Sequence, residues 1–291
     1  MLKKTECEFE CNKDIALLTS VRIPTTVRAV ACPDSEEKLV ALVDELRKNE
    51  IPFITVGRMS NILFKNGSYN GVVIRTSKIK GKTKAENRIT LSCGESLANA
   101  ISYMSRFDMG GLEGLFAIPG SVGGMVRQNA GAYGYEIKDR FVSARCYIPN
   151  TGDTVDLTVS DMNFTYRNST LSANGAILLS ATFDFVYKRR EDIIREISEY
   201  RVQRAKSQPI GIPSLGSVFK RYRGVGAGYY IDRAGLKGFA IGGARVSEKH
   251  AGFIINTGGA TADEYLRLVD YVKSAVYSAF GIELEEEIEI I

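Results

Sequence analysis

The segment from Gly110 to Gly134 constrains this chain more than any other, because it holds eight glycines, several apolar residues and only two charges. Such a composition predicts buried backbone and not a solvent-exposed linker. Glycine lets the main chain approach a flat or anionic group closely, and N–H groups outside regular structure need partners. A phosphate-bearing cofactor would supply them. The alternative is a glycine-rich structural turn between strands.

The length of 291 residues predicts two or three lobes, each able to bury a core. The net charge is +4, and the charges are interspersed along the chain. That balance suits an anionic small molecule but lacks the basic footprint of a nucleic-acid-binding protein. No apolar run is long enough to span a membrane and the N-terminus lacks a signal-peptide core, so we expect a cytoplasmic protein with no membrane partner.

Several common kinds of site are disfavoured. The five cysteines form no CxxC pair and His250 is the only histidine, so we expect no metal site. Nothing matches the P-loop pattern, and the glycines at 224, 226 and 228 lack the closing glycine of a dinucleotide-binding GxGxxG. A serine hydrolase triad would need His250, and no GxSxG elbow accompanies it.

The pattern of helices and strands is that of an αβ chain. Asp34 and Glu37 form a predicted capping box for a helix over 34–50, and Thr261 and Glu264 do the same for a last helix that ends at Gly281. A charged helix over 190–206 predicts a connector to a second domain. The final residues, 282–291, alternate apolar and acidic side chains, which predicts a strand with Ile282, Leu284, Ile288 and Ile290 on one face.

Three polar residues stand out before any resemblance is considered. Arg167 in FTYRNS can bind a carboxylate or phosphate through two N–H groups, although an ion-paired surface arginine is the ordinary alternative. Ser217 follows Gly216 on a turn, where a serine commonly bonds its own backbone. Glu286 breaks the apolar phase of the predicted terminal strand.

Five passages, in order, resemble the UDP-N-acetylenolpyruvoylglucosamine reductase family, flavoenzymes of peptidoglycan precursor synthesis. They are GLFAIPGSVGGMVRQNAGAYG, FTYRNS, SLGSVFKR, AGLKGFAIGGARVSEKHAGFIINTGGATADEY and GIELEEEIEII. They cover most of the chain after about Gly110, and the absence of a long insertion after Ser217 is similar to the shorter variety of the family.

The resemblance implies an α+β fold. Residues 1–188 would form a two-lobed FAD-binding domain of the vanillyl-alcohol-oxidase type, with lobes of about 1–75 and 76–188. Residues 189–291 would form a smaller α+β substrate-binding domain, whose C-terminal strand returns to the active site. The implied activity is the reduction of UDP-N-acetylglucosamine enolpyruvate with FAD and NADPH, by a monomer without nucleic-acid partners.

The resemblance also assigns residues by motif. Arg167 corresponds to the active-site arginine, Ser217 to the proton donor and Glu287 to the C-terminal catalytic glutamate. Tyr166, Lys220 and Arg221 are expected to bind substrate. The expected FAD-binding residues are Gly57, Arg58, Ser60, Asn61, Ile118, Pro119, Gly120, Ser121, Gly123, Gly124, Asn129 and Gly131.

Two departures from the family pattern keep other functions open. Arg58 and Met59 stand where the family has glycines. A side chain held at positive φ there would cost about 1 kcal/mol or more for each residue, although Arg58 could instead bind the FAD diphosphate. Glu286 replaces an expected proline beside Glu287, which leaves open which glutamate points inward. The alternatives are another noncovalent flavin oxidoreductase, or a degenerate member that binds a nucleotide sugar or a partner without flavin.

Overall fold

The structure, a computed structural model, describes residues 7–291. It divides into two compact units. The larger unit comprises the residues up to Cys11, Ala29–Arg58 and Gly71–Val202. The smaller unit comprises Asn12–Arg28, Met59–Asn70 and Gln203–Ile291. The smaller unit therefore includes two N-terminal segments, which the predicted division at residue 188 does not anticipate; that domain boundary stays a prediction.

The α-helices are α1 Glu36–Lys48, α2 Leu97–Met104, α3 Val122–Arg127, α4 Val159–Met162, α5 Thr170–Ala173, α6 Arg190–Ser207, α7 Ala227–Arg233 and α8 Ala262–Phe280. The first strands are β1 Glu8–Asp14, β2 Thr26–Cys32, β3 Phe53–Val56, β4 Ile62–Leu63, β5 Ser68–Arg75, β6 Lys82–Ala85, β7 Arg88–Ser92, β8 Met109–Gly110, β9 Gly131–Ala132 and β10 Tyr135–Glu136. The later strands are β11 Phe141–Ile148, β12 Asp153–Thr158, β13 Ile177–Asp184, β14 Val186–Tyr187, β15 Ser214–Ser217, β16 Ala240–Ile241, β17 Ala244–Val246, β18 Phe253–Asn256 and β19 Glu289–Ile290.

The larger unit contains a five-stranded antiparallel sheet in the order β12-β11-β13-β7-β6. The alternation of β13, with Ile177, Leu179, Ala181 and Phe183 buried, places one apolar face against the core. A second sheet has the order β1-β2-β5-β3, with β3 parallel to β5. Helix α1 buries Leu39, Leu42, Val43 and Leu46 in the same apolar cluster.

The predicted cap of α1 is wrong by one residue. Ser35 is the N-cap, and its hydroxyl accepts a hydrogen bond from the Lys38 amide at 3.2 Å. Asp34 lies outside the helix and pairs with the Lys38 ammonium at 3.0 Å. A serine adjoining an aspartate offers two caps in sequence, and the extended backbone of Ser35 decides between them.

The smaller unit is built on an antiparallel sheet in the order β15-β18-β17-β16. Helix α8 has the predicted capping box of Thr261 and Glu264, and it ends at Gly281 with φ of 65°. Its buried residues Leu268, Val272 and Val276 recur every four positions and join the core of this unit. This second apolar cluster contains none of the buried residues of the first one.

The terminal strand is shorter than predicted. Regular pairing is confined to β19, which runs parallel to β4. Ile282, Leu284 and Ile288 are buried as expected, but Ile290 is 38% exposed. Ahead of β19, Glu286 makes only an isolated bridge with Phe219, so the backbone leaves the two-residue repeat before Ile290 is reached.

Across residues 7–291, no helix has the length and apolar character needed to cross a membrane.

Candidate active site

In the larger unit, Gly57 lies against the side chain of Ser121, and we call this close contact the Gly57 and Ser121 cradle. A Cβ built on Gly57 would lie 1.9 Å from the Ser121 Oγ and 3.1 Å from the Ser121 Cβ, so a larger residue here would force Ser121 to move. Ser121 is 2% exposed, and its Oγ has no hydrogen-bond partner among the described residues. A buried hydroxyl without a partner is costly unless a ligand completes it. These two predicted FAD-binding residues therefore fit a polar cofactor atom.

The backbone after Ser121 is fixed by main-chain hydrogen bonds. The Val122 amide donates to the Glu95 carbonyl, and the Gly123 amide donates to the Cys93 carbonyl, both at 2.9 Å. A Cβ on Gly123 would lie 3.4 Å from the Cys93 Cβ. Burial raises the pKa of Cys93 to about 12, so its side chain is a neutral packing group at pH 7.

The remaining predicted flavin residues of the glycine-rich segment are more open. Ile118 and Gly120 are half-buried, whereas Pro119 and Gly124 are exposed. A Cβ on Gly120 would approach the Met125 Cγ to 2.9 Å, so a larger residue here would require the Met125 side chain to move.

Arg58 and Met59 differ in backbone conformation and in burial. Met59 has φ of 47° and is 2% exposed, so this position has the left-handed backbone that favours glycine, as anticipated. Its carbonyl accepts a hydrogen bond from the Ser20 amide at 3.3 Å, which helps to hold the turn. Arg58 is exposed and has no such φ. Ser60, which follows, is half-buried.

Arg167 lies in the larger unit on a two-residue turn. Thr165 and Asn168 close the turn through reciprocal backbone hydrogen bonds of 3.1 and 3.2 Å. Arg167 has φ of 55°, and its Nη2 donates to the Gly131 carbonyl at 2.9 Å. The guanidinium carbon lies 4.8 Å from the centre of the Tyr166 ring, which stacks against it.

Ser217 and Glu287 are brought together in the smaller unit. Ser217 ends β15, immediately after Gly216, whose φ is 81°. The Glu287 amide donates to the carbonyl of Val218, the next residue after Ser217, at 2.7 Å. The Asn61 Nδ2 donates to the Glu287 carbonyl at 2.9 Å. Hydrogen bonds on both sides of Glu287 therefore fix its backbone beside the candidate proton donor.

The glutamates near the C-terminus have different ion-pair partners. Glu286 forms an ion pair with Lys273 of α8, with 2.8 Å between Oε1 and Nζ. Glu285 is exposed and pairs with Lys220 at 3.1 Å. Neighbouring lysines therefore account for these two carboxylates, and the assignment of Glu287 as the catalytic glutamate stays a prediction.

The other predicted substrate residues lie near the surface. Lys220 holds Glu285, and the Arg221 Nη1 donates to the Gly224 carbonyl at 3.3 Å. Tyr166 is 38% exposed.

Two residues near the candidate site were not predicted from the sequence: Glu136, beside the Arg167 turn, and Lys273. The sequence could have indicated Glu136, because it is the first acidic residue after Glu113 and lies just after the glycine-rich segment. Lys273 could not have been recognised, because it is one of several charged residues on the same helix.

Comparison with known proteins defines the class first. Residues 27–158 match the FAD binding domain family. Residues 208–291 match the family described as UDP-N-acetylenolpyruvoylglucosamine reductase, C-terminal domain. The chain is thus an FAD-binding protein with a reductase C-terminal domain, and the two-lobed α+β fold of the vanillyl-alcohol-oxidase type followed by a smaller α+β domain is confirmed.

Full-length relatives then define the family. The UDP-N-acetylenolpyruvoylglucosamine reductase of Caldicellulosiruptor bescii is 40% identical over 100% of this chain and 93% of that protein. The Listeria monocytogenes reductase is 36% identical over 97% of this chain and 95% of that protein. The crystal structure of the Thermus caldophilus reductase superimposes with a TM-score of 0.81, at 29% identity and with 98% of each chain covered. This chain belongs to the UDP-N-acetylenolpyruvoylglucosamine reductase family.

Proposed function

We propose that this chain is an NADPH-dependent flavoenzyme that reduces UDP-N-acetylglucosamine enolpyruvate to UDP-N-acetylmuramate in peptidoglycan precursor synthesis. Family membership over the full length supports the reductase activity. The observation that supports the residue assignment is the 2.7 Å hydrogen bond from the Glu287 amide to the Val218 carbonyl, because Val218 directly follows Ser217 in the chain.

The residues present fit FAD at the Gly57 and Ser121 cradle, where the Ser121 hydroxyl needs an acceptor or donor. The cofactor residues expected from the motifs stay a proposal. The two-electron chemistry is supplied by FAD when it is bound, with NADPH as the source of the hydride that adds to the β carbon of the enol ether. NADPH becomes NADP⁺, the carbon–carbon double bond becomes a single bond, and the α carbon needs one proton.

Arg167 is proposed to bind the substrate carboxylate. Hydride addition to the β carbon pushes negative charge toward this carboxylate, and a positioned guanidinium stabilises that charge as it develops. The hydrogen bond to the Gly131 carbonyl and the Tyr166 ring orient the guanidinium, so little reorganisation is required during the reaction.

Ser217 is proposed to donate the proton to the α carbon. A serine hydroxyl is a weak acid, so it acts only where charge develops beside it at close range. Gly216, with φ of 81° and open space around its Cα, leaves room for that approach. The serine oxygen must then regain a proton from solvent, and Glu287 is the neighbouring acid–base group proposed to pass it.

Tyr166, Lys220 and Arg221 are proposed to contact the rest of the nucleotide-sugar substrate. Two of them are cationic, which suits a diphosphate. We further propose a monomer that acts in the cytoplasm, where NADPH and the nucleotide sugar are both present.

The experiment is anaerobic titration of the purified protein. We expect a yellow protein whose flavin absorbance bleaches with NADPH and returns when UDP-N-acetylglucosamine enolpyruvate is added, with one UDP-N-acetylmuramate formed per flavin. A colourless protein that takes up no added FAD would instead support the degenerate member. Reoxidation by oxygen but not by the enol ether would support another flavin oxidoreductase.

A further inference from the structure

The Arg167 turn needs support from its surroundings. Arg167 is a non-glycine residue in the left-handed region, with φ of 55°. Such a conformation costs free energy and persists only where neighbouring groups fix it. The two hydrogen bonds between Thr165 and Asn168 close the turn but do not set its orientation against the rest of the unit.

Asn129 links this turn to the glycine-rich segment. Its side chain is fully buried, and its Nδ2 donates both to the Thr165 carbonyl at 3.0 Å and to the Glu136 Oε2 at 3.1 Å. The Asn129 Oδ1 accepts a hydrogen bond from the Lys138 amide at 3.1 Å. Both N–H bonds of the amide are therefore directed at protein acceptors, so the amide has no donor left for a cofactor.

Gly131 lies between Arg167 and Glu136. Its carbonyl accepts the hydrogen bond from the Arg167 Nη2. A Cβ at this position would lie 2.9 Å from the Glu136 Cγ and 3.0 Å from the Arg167 Nη1. Both distances are shorter than normal packing contacts, so any side chain larger than hydrogen would displace the guanidinium, the carboxylate or both.

Glu136 completes the arrangement with charge. Its carboxylate pairs with the Lys138 ammonium at 2.8 Å. Burial acts to raise the pKa of Glu136, but the hydrogen bonds from Lys138 and Asn129 and the charges of Lys138 and Arg167 outweigh it, so the pKa lies below its ordinary value. The side chain is thus an anion at neutral pH on the same side as the guanidinium.

We propose that Asn129, Gly131 and Glu136 form a socket that positions Arg167, and that Asn129 and Gly131 serve the arginine and do not contact the flavin directly. The Arg167 socket rests on the proposed function, in which Arg167 binds the substrate carboxylate. It revises the cofactor role that the motif implies for two of its residues. These three are positioning residues, since they act through Arg167.

The test compares Asn129→Asp with Asn12→Asp. The first change keeps the shape of the side chain but turns a donor toward the Thr165 carbonyl and the Glu136 carboxylate into an acceptor. Asn12 is a matched control, because it is exposed and also has a left-handed backbone, with φ of 48° against 39° at Asn129. Gly131→Ala is the second socket variant, which keeps the Asn129 amide, for the case in which Asn129→Asp does not fold.

Three quantities are measured on each variant: flavin content, the rates of flavin reduction by NADPH and of reoxidation by the enol ether, and hydrogen exchange of the peptide Phe164–Ser169. In the socket variants we expect unchanged flavin content and reduction, reoxidation slower by about 10²-fold, and exchange faster by about tenfold. Asn12→Asp is expected to match the unmodified protein in all three.

Loss of flavin from the socket variants, equal loss in both half-reactions, or unchanged exchange across the turn would overturn the proposal. Normal reoxidation despite a loosened turn would overturn it as well. If the unmodified protein is not reoxidised by the enol ether, the proposed function fails instead, and hydrogen exchange still decides whether the socket holds Arg167.

Discussion

Arg167 in the larger unit and the Ser217–Glu287 pair in the smaller unit are held by different kinds of hydrogen bond. Arg167 depends on side chains: the Asn129 amide bonds its turn, and its own guanidinium bonds a carbonyl. Ser217 and Glu287 depend mainly on backbone, through β15 and the bond from the Glu287 amide to Val218. One side-chain substitution can therefore loosen the first region strongly, whereas a change in a supporting side chain should affect the second region less.

The largest effect is expected where the chemistry itself is removed. Ser217→Ala should leave flavin reduction by NADPH nearly intact and slow reoxidation by the enol ether by about 10²- to 10⁴-fold, because a general acid is lost. Anaerobic stopped-flow absorbance separates the two half-reactions. Equal losses in the two half-reactions would contradict the proton-donor assignment of Ser217. The comparison between the Arg167 region and the Ser217–Glu287 region would then lose its basis.

Asn61→Ala tests a side-chain hydrogen bond to the Glu287 backbone. Asn61→Ala removes the hydrogen bond to the Glu287 carbonyl but keeps the bond from the Glu289 amide to the Asn61 carbonyl, at 2.8 Å. We expect reoxidation slower by about tenfold with flavin still bound. Asn66→Ala, at an exposed position of the same unit, is the control. Loss of flavin would show that Asn61 matters more for the FAD-binding role also proposed for it than for the Glu287 backbone.

The ion pair of Glu286 and Lys273 should matter least to catalysis. Both side chains are partly exposed, at 27% and 37%, so Glu286→Gln is expected to cost below about 1 kcal/mol in unfolding free energy. Reoxidation should remain within about threefold, since backbone bonds still fix Glu287. A loss as large as that of Ser217→Ala would show that this pair, and not the backbone, positions the glutamate.

His250 offers a small pH-dependent effect on the same strands. Its Nδ1 accepts a hydrogen bond from the Gly252 amide, and the Gly252 carbonyl in turn accepts one from the Val218 amide. Burial lowers the pKa of His250, so the unfolded chain binds a proton more readily. Stability should therefore decrease as the pH falls through about 6.5, the unfolded value.

Thermal unfolding between about pH 7.5 and 5.5 checks this. His250→Asn, which keeps an acceptor near the Nδ1 position, should flatten the dependence, because the chain has no other histidine. An unchanged slope would assign the titration to other groups.

Local patterns and motifs predicted much of this molecule. The capping box at Thr261 and the glycine end of α8 follow from residues that are close together in the sequence. The family resemblance assigned Ser217 and Glu287, and the Glu287 amide bonds the carbonyl of Val218, the residue after Ser217.

The rest depends on contacts between segments far apart in the chain. In the sequence, Asn129 belongs to a glycine-rich segment that predicts a cofactor site. In the structure, its side-chain amide donates a hydrogen bond to the Thr165 carbonyl, 36 residues away. Asn61 bonds a carbonyl 226 residues away, so no local pattern reports it. Neither the pairing of Glu286 with α8 nor the short β19 could be predicted from alternation, because both depend on partners outside the terminal strand: Lys273 for Glu286 and β4 for β19.

Reoxidation of the NADPH-reduced protein by UDP-N-acetylglucosamine enolpyruvate, followed anaerobically by flavin absorbance, tests the central claim most directly. The account predicts full return of the oxidised spectrum with equimolar UDP-N-acetylmuramate, and a return slowed by orders of magnitude in Ser217→Ala. A bleached spectrum that persists in the unmodified protein after the enol ether is added would contradict it.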